Sequence, residues 1–367
     1  MSNTGKQIPD QFTAIGVHDH SKWLEPKTFK YTPHPARVYD IDVKIECCAV
    51  CGGDVFGASG AWGSFYLPVA FGHEIVGEVV RVGGAVDRIK VGDRIGIGAQ
   101  CDSCGTCMRC NNHKEVNCRS AVHTYFGTYK DSGVNTQGGY SDFIRVNEKF
   151  AFKIPEKLES KYAAPLLCGG ITGFKPLMSA GVTKGTKVGV LGIGGIGHMT
   201  ILFAKAMGAE VYAISRNHYK EDVCKRLGAD HYIATSDEGF EHRFSDTLDL
   251  IISTGNTLEG ETVNKLLLTL IAGGQIITIS APPPSGKLDI NPSLLLANNV
   301  GISGSVTGSP RDIEYMLNFA VEHNIRPWVE EIPISEANVS NSWQRMKSGD
   351  VKFRLVLTDY DKEFNTK

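Results

Sequence analysis

Four cysteines in fifteen residues, Cys104-x₂-Cys107-x₂-Cys110-x₇-Cys118, constrain this chain more than any other local feature. Thiolates at such short, regular intervals can converge on one tetrahedral zinc ion, because closing short loops costs little entropy. Free or disulfide-bonded thiols in a Gly-rich loop would be the plainer use of the same residues. Inside a reducing cell, however, four clustered cysteines are hard to employ except as ligands. Cys101 extends the ladder by one step. The set ending in Cys118 is the one expected to bind, in a site that holds a loop rather than performs chemistry.

The 367 residues are enough for about two domains, each able to bury a core. A net charge of −2 gives no basic surface for nucleic acid or an anionic membrane. No apolar run approaches the ~20 residues of a membrane span. The opening MSNTGKQIPD is polar and has no apolar stretch of the secretory kind. With ten cysteines more easily read as ligands and buried thiols than as disulfides, the expected location is the cytoplasm.

Up to about residue 160 the chain reads as short strands punctuated by glycine, among them IDVKIEC, EIVGEVVRVG, DRIGIGA and YSDFIRV. Even spacing of this kind predicts a barrel-like β domain, with the cysteine ladder in a loop between two strands. From residue 161 the pattern alternates. KVGVLG, EVYAIS, DHYIA, DLIIS and QIITIS are strands; GHMTILFAKAMG, HYKEDVCKRLG and ETVNKLLLTLI are helices. Apolar strands alternating with helices predict a doubly wound, parallel α/β sheet. VGISGSV follows as a last strand, then a helix with Ser309 as N-cap and Pro310 at N1. KFRLVLT is a strand expected to return to the first domain. The expected domains are therefore 1–160, completed by 310–367, and 161–309. Apart from the run Pro282–Pro284, no low-complexity segment interrupts them.

Gly192-x-Gly194-x-x-Gly197, with Gly195 and Ile196 between, directly follows the strand KVGVL and opens a helix. In that context the first glycine makes the turn, the second admits a pyrophosphate and the third lets helix and strand pack. The phosphates would sit on the helix N-terminus. An NAD site would place an acid at the end of the next strand; here EVYAIS ends in Ser215 and Arg216, with Lys220 one turn on. A hydroxyl, a guanidinium and an ammonium suit the 2′-phosphate of NADP(H), although the same residues could form a solvated helix start.

Cys51, His73 and Cys168 could supply three ligands of a second, open zinc site, but their spacings carry little information and plain packing explains lone residues equally well. The motifs GHEIVGEVV, VGDRIGIG, QGGYSDFIRV, AAPLLCGGIT and GIGGIGH, collinear with the cysteine ladder, decide more. Together they resemble the zinc-dependent medium-chain dehydrogenases. They are most similar to the cinnamyl alcohol dehydrogenase branch, and particularly to fungal NADP-dependent medium-chain alcohol dehydrogenases. The resemblance runs from about residue 10 to the end. It implies a GroES-like zinc-binding domain joined to a Rossmann domain, and a homodimer pairing through VGISGSV. It also implies Cys51, His73 and Cys168 as catalytic-zinc ligands, with Glu74 as a neighbour able to reach the metal and Asp54 holding His73. Thr172 and Ser305 join the cofactor residues, and Trp62 is either a wall of the substrate pocket or core.

The chain departs from that pattern at the proton path. Gly53 stands where the branch usually has Ser or Thr, Phe56 where it often has His, and Ala61 where fungal relatives often carry another histidine. The expected activity is hydride transfer between NADP(H) and medium or large aldehydes and primary alcohols, working as an aldehyde reductase. The alternative is reduction of an activated C=C or C=N bond, which would not need the missing path.

Overall fold

The computed structural model describes residues 8–365 except 64, 256–260 and 281–287, so the proline run lies outside the described residues. The chain divides into two units. One comprises Met1–Cys168, Gly308–Val321 and Arg326–Lys367; the other comprises Gly169–Thr307 and Glu322–Ile325.

The first unit is built around strand Asp40–Val50, which pairs with Ile75–Val82, Phe143–Asn147 and Arg354–Thr358 in a seven-stranded sheet. KFRLVLT does return to it: Leu355 lies opposite Val50 and Leu357 opposite Cys48. Ile41, Val43, Ile45, Ile75, Ile95, Ile97, Leu355 and Leu357 are wholly buried, and Trp343 of helix Glu336–Ser348 seals the same core. A three-stranded sheet, Lys27–Tyr31, Phe12–Val17 and Val69–Ala70, stands beside it. The register has a functional consequence. Cys48 faces Ile75, so the chain leaves one strand at Cys51 beside the point where His73 and Glu74 enter the next.

The second unit holds a six-stranded, wholly parallel sheet. Its order is His231–Ala234, Glu210–Ser215, Lys187–Leu191, Leu248–Ser253, Leu270–Thr278, Gly301–Gly304. That is the 3-2-1-4-5-6 order of a dinucleotide-binding sheet, in which ligands bind where the order reverses, at the end of Lys187–Leu191. One expected element is shorter than its sequence suggests. ETVNKLLLTLI forms a helix only over Glu261–Leu267, and Leu270 already belongs to the next strand. Leu270 pairs with Leu248; an apolar run too uniform to carry a period was claimed by sheet pairing at its end. The later helix runs Pro310–Glu322 with Ser309 as its cap: Ser309 Oγ donates to Asp312 Oδ2 at 2.8 Å and accepts from Asp312 N at 3.3 Å.

Candidate active site and metal centres

The cysteine ladder occupies the loop between the antiparallel pair Gln100–Asp102 and Val122–His123. Its four sulfurs form the corners of a small tetrahedron. Cys104–Cys118 is 3.5 Å, Cys107–Cys110 3.6 Å, and Cys104–Cys110 and Cys107–Cys118 are each 3.8 Å. Zinc–sulfur bonds of ~2.3 Å at tetrahedral angles require S···S separations of about 3.8 Å, so the donor set fits the ion. Backbone N–H groups of Thr106 and Cys107 bring Cys104 down to about 6, readying a thiolate, whereas burial pushes Cys110 up to about 12. Cys101 is excluded. Its buried thiol turns to the Val122 carbonyl at 3.4 Å and takes the Tyr129 hydroxyl at 3.5 Å.

A second group, Cys51, His73, Glu74 and Cys168, brings one ligand atom each to within 4.8 Å of the others. Cys51 ends its strand and begins helix Gly52–Ala58. His73 follows Gly72, whose φ is +94° and where any Cβ would strike Tyr140 and the Cys48 sulfur at 2.7–2.8 Å. Cys168 sits in a π-helical turn, Leu166–Gly170, just after Pro165; such widened turns are frequent at functional sites. His73 Nε2 lies 3.1 Å from Cys168 Sγ. The other ring nitrogen, Nδ1, lies 3.1 Å from Asp54 Oδ1.

Asp54 is fully buried and takes four donors. Cys51 N (2.8 Å) and the Tyr140 hydroxyl (3.0 Å) reach Oδ2; Gly72 N (3.2 Å) and His73 Nδ1 reach Oδ1. Burial alone would raise its carboxyl, but His73 and these hydrogen bonds hold it below the usual range. Cys51 is drawn well below an ordinary thiol, first by a hydrogen bond from Cys168 and further by His73, while Cys168 is raised in exchange. Glu74, also fully buried, pairs with the guanidinium of Arg354. Sequence reading missed Arg354 and Tyr140. Each is a lone residue far from its partner in sequence, and only the tertiary fold discloses it.

In the second unit the glycines behave as their positions require. Gly192 has φ +88°. A Cβ on Gly197 would sit 2.0 Å from the Gly192 carbonyl oxygen, whereas one on Gly194 would meet nothing within 4 Å, leaving the turn open on that side. Gly195 and Ile196 complete the turn, Ile196 capping helix Gly197–Ala206. Thr254, another residue missed from the sequence, braces the turn by donating to the Gly192 carbonyl at 2.6 Å. Lys220 Nζ reaches the Ile193 carbonyl at 2.6 Å, which brings the end of EVYAIS and the glycine turn together; Ser215 is half-buried and Arg216 exposed. Thr172 is buried in helix Ile171–Ser179, and Ser305 follows the last strand with its N–H on the Thr278 carbonyl.

Residues 38–156 match the alcohol dehydrogenase GroES-like domain, and residues 195–322 the zinc-binding dehydrogenase domain. The NADP-dependent alcohol dehydrogenase 6 of Saccharomyces cerevisiae is 44% identical over 97% of this chain and 99% of its own. The chain belongs to the zinc-dependent medium-chain alcohol dehydrogenases. Among solved structures of that family, a cinnamyl alcohol dehydrogenase of Sorghum bicolor is 32% identical, with a TM-score of 0.89 over 95% of this chain and 97% of its own. The Helicobacter pylori cinnamyl alcohol dehydrogenase, complexed with NADP(H), is 30% identical, with a TM-score of 0.87 over 96% and 99%. As in the family, the fold joins a GroES-like domain to a Rossmann-like one.

Proposed function

We propose that the protein is an NADP(H)- and zinc-dependent oxidoreductase that interconverts aldehydes of medium to large size with their primary alcohols, working as an aldehyde reductase. The observation that carries this reading is the convergence of Cys51, His73 and Cys168 with Asp54 behind the histidine. Those residues would hold a catalytic zinc, Glu74 remaining within reach of it, and Cys104, Cys107, Cys110 and Cys118 a structural one. When bound, zinc supplies a Lewis acid at the carbonyl oxygen and NADPH a hydride.

The chain's own residues do the rest. Asp54 fixes the His73 tautomer by accepting a hydrogen bond from Nδ1–H, leaving Nε2 as the ligand nitrogen. Cys51 contributes charge that offsets the metal's. Arg354 balances Glu74. Gly192, Gly194 and Gly197 leave backbone room for a pyrophosphate, with Gly195 and Ile196 between them. Ser215, Arg216 and Lys220 would take the 2′-phosphate; Thr172 and Ser305 complete the cofactor set. Phe56 and Trp62 stack at 5.6 Å and offer an aromatic wall to an apolar substrate.

We read residues 1–160 with 310–367 as the catalytic domain and 161–309 as the NADP-binding domain. Ten free cysteines support a reducing, cytoplasmic location, and no helix among the described residues is long and apolar enough to cross a membrane. The open edge of Gly301–Gly304, paired on one side only within its sheet, supports a homodimer in which this strand meets its twin; light scattering would test it. The reductase reading is tested by NADPH oxidation over a panel of aldehydes, enals and cyclic imines, with metal analysis. It expects two zinc ions per chain, alcohols as products and a clear preference for NADPH. Turnover confined to C=C or C=N bonds would refute it.

A further inference from the structure

Gly53 has no hydroxyl to offer, yet the space beside it is not apolar. A Cβ placed on Gly53 would lie 3.2 Å from the Trp62 ring, 3.4 Å from His73 Cε1 and 3.4 Å from the hydroxyl oxygen of Tyr125. Tyr125 is buried and held rigidly. Its ring meets Phe71 edge-on at 5.1 Å and Phe126 at 4.8 Å, and lies 5.2 Å from the ring of His73. A two-torsion aromatic side chain packed on three sides delivers its hydroxyl to one place.

That hydroxyl hydrogen-bonds toward Asp54, but Asp54 does not depend on it. An ionised carboxylate offers about four lone-pair sites, and Cys51 N, Gly72 N, His73 Nδ1 and the Tyr140 hydroxyl already fill them. Asp54 therefore keeps four other donors when the phenolic proton turns from it to another acceptor. The hydroxyl borders His73 and the place a side chain on Gly53 would take. A group that is preorganised, water-shielded and able to donate suits an oxygen that gains negative charge.

We propose that Tyr125 is a catalytic residue of the reaction, its hydroxyl making the hydrogen bond to the reacting oxygen that Gly53 cannot make. This rests on the aldehyde-reductase reading above. No bond is made or broken at Tyr125; it donates a hydrogen bond and keeps its proton.

The test uses the zinc-loaded protein with NADPH, cinnamaldehyde as substrate and cinnamamide as an unreactive carbonyl probe. Tyr125→Phe keeps the ring and its packing and removes only the hydroxyl. Cinnamamide affinity, measured by calorimetry, should fall roughly tenfold, the loss expected for one buried hydrogen bond. kcat/KM for cinnamaldehyde should fall at least as far, with zinc content and NADPH affinity unchanged. Adding Gly53→Ser to that variant should return much of the cinnamamide affinity, because a hydroxyl is restored to the same space. A Tyr125→Phe protein that matches an active wild type in both measurements overturns the assignment alone. So does a double variant with no recovered affinity, whether or not the single variant keeps its zinc. A wild type that neither reduces cinnamaldehyde nor binds cinnamamide overturns the assignment together with the reductase reading.

Discussion

Replacing Asp54 by asparagine changes one atom in the interior and should disarm the catalytic metal site. The carboxylate takes Cys51 N and the Tyr140 hydroxyl on Oδ2, and Gly72 N and His73 Nδ1 on Oδ1. An amide can accept on one side only. If its oxygen stays with Cys51 and Tyr140, its NH₂ faces two donors. His73 can then escape the clash by moving its proton to Nε2, which gives up the lone pair that must bind zinc. If its oxygen stays with His73, the Cys51 N–H is left buried and unpaired while Tyr140 can rotate away. Each mispaired buried donor costs about 1–3 kcal/mol, so Asp54→Asn should destabilise the protein by about 2–4 kcal/mol. Loss of the group that orients a metal-bound histidine typically weakens metal affinity about 10–100-fold. The assay is zinc competition against a chelator graded in affinity, with metal counted per chain. Zinc should leave in two steps, one earlier than in the wild type and one unchanged, the latter from the Cys104–Cys118 loop. An Asp54→Asn protein that releases both ions at wild-type chelator strength, with unaltered stability, would refute the tautomer argument.

Cys107→Ser should cost one zinc and markedly reduce stability and solubility while leaving substrate preference alone, because metal bound by the loop contributes folding free energy; metal analysis with substrate profiling checks it. Arg216→Asp should weaken NADPH binding roughly ten- to a hundredfold and leave NADH binding nearly intact; fluorescence titration of both cofactors decides, and equal use of both by the wild type would sink the idea. Asp142 carries a pH signature. Burial pushes its carboxyl up to about 6, against backbone hydrogen bonds from Thr13 and Phe143 that both land on Oδ1. The folded protein thus keeps a proton to about 6 that the unfolded chain releases near about 4. This contribution is full below about pH 4 and declines as the pH rises to about 6. Asp142→Asn retains an oxygen for both N–H groups. It should flatten that decline and add on the order of 2 kcal/mol at pH 7, read by denaturant unfolding across pH 4–8.

What the sequence disclosed follows the distance over which each feature is built. The cysteine ladder is closed by loops of two to seven residues, so spacing alone is informative. The glycine turn depends on one strand and one helix and is equally local. The proposed catalytic ligands are not. Cys51 and His73 meet because Cys48 pairs with Ile75, and Arg354 reaches Glu74 because Leu355 pairs with Val50. No spacing encodes such long-range registers, and only the family resemblance supplied the ligands. Tyr125, Tyr140 and Thr254 carried no signal at all, since a lone tyrosine or threonine is ordinary until its neighbours are known. The ETVNKLLLTLI helix ran too long for the opposite reason: the apolar run at its end, LLLTLI, satisfies a helix and a buried strand alike, and pairing with Leu248 decided the matter at Leu270.

Gly53 and Phe56 lack the polar side chains of a proton relay, which is what raised C=C or C=N reduction as the alternative to an aldehyde reductase. The structure and the relatives weigh against that alternative from different sides. Phe56 is not an idle replacement: it stacks on Trp62 at 5.6 Å, so the position that could have carried an outward histidine builds apolar wall instead. The space at Gly53 is bordered by a buried phenol rather than by hydrocarbon alone. The relative of highest identity cited above and both cinnamyl enzymes are alcohol dehydrogenases by name. The proposed site, with candidate zinc donors, a buried phenol and an aromatic wall, would supply what carbonyl reduction requires, namely a polarised oxygen, a hydrogen-bond donor and apolar room for the substrate's body. A glycine at 53 then removes one donor from a site that contains another. The departure bears on how the oxygen is held, and leaves the class of reaction where the zinc ligands put it.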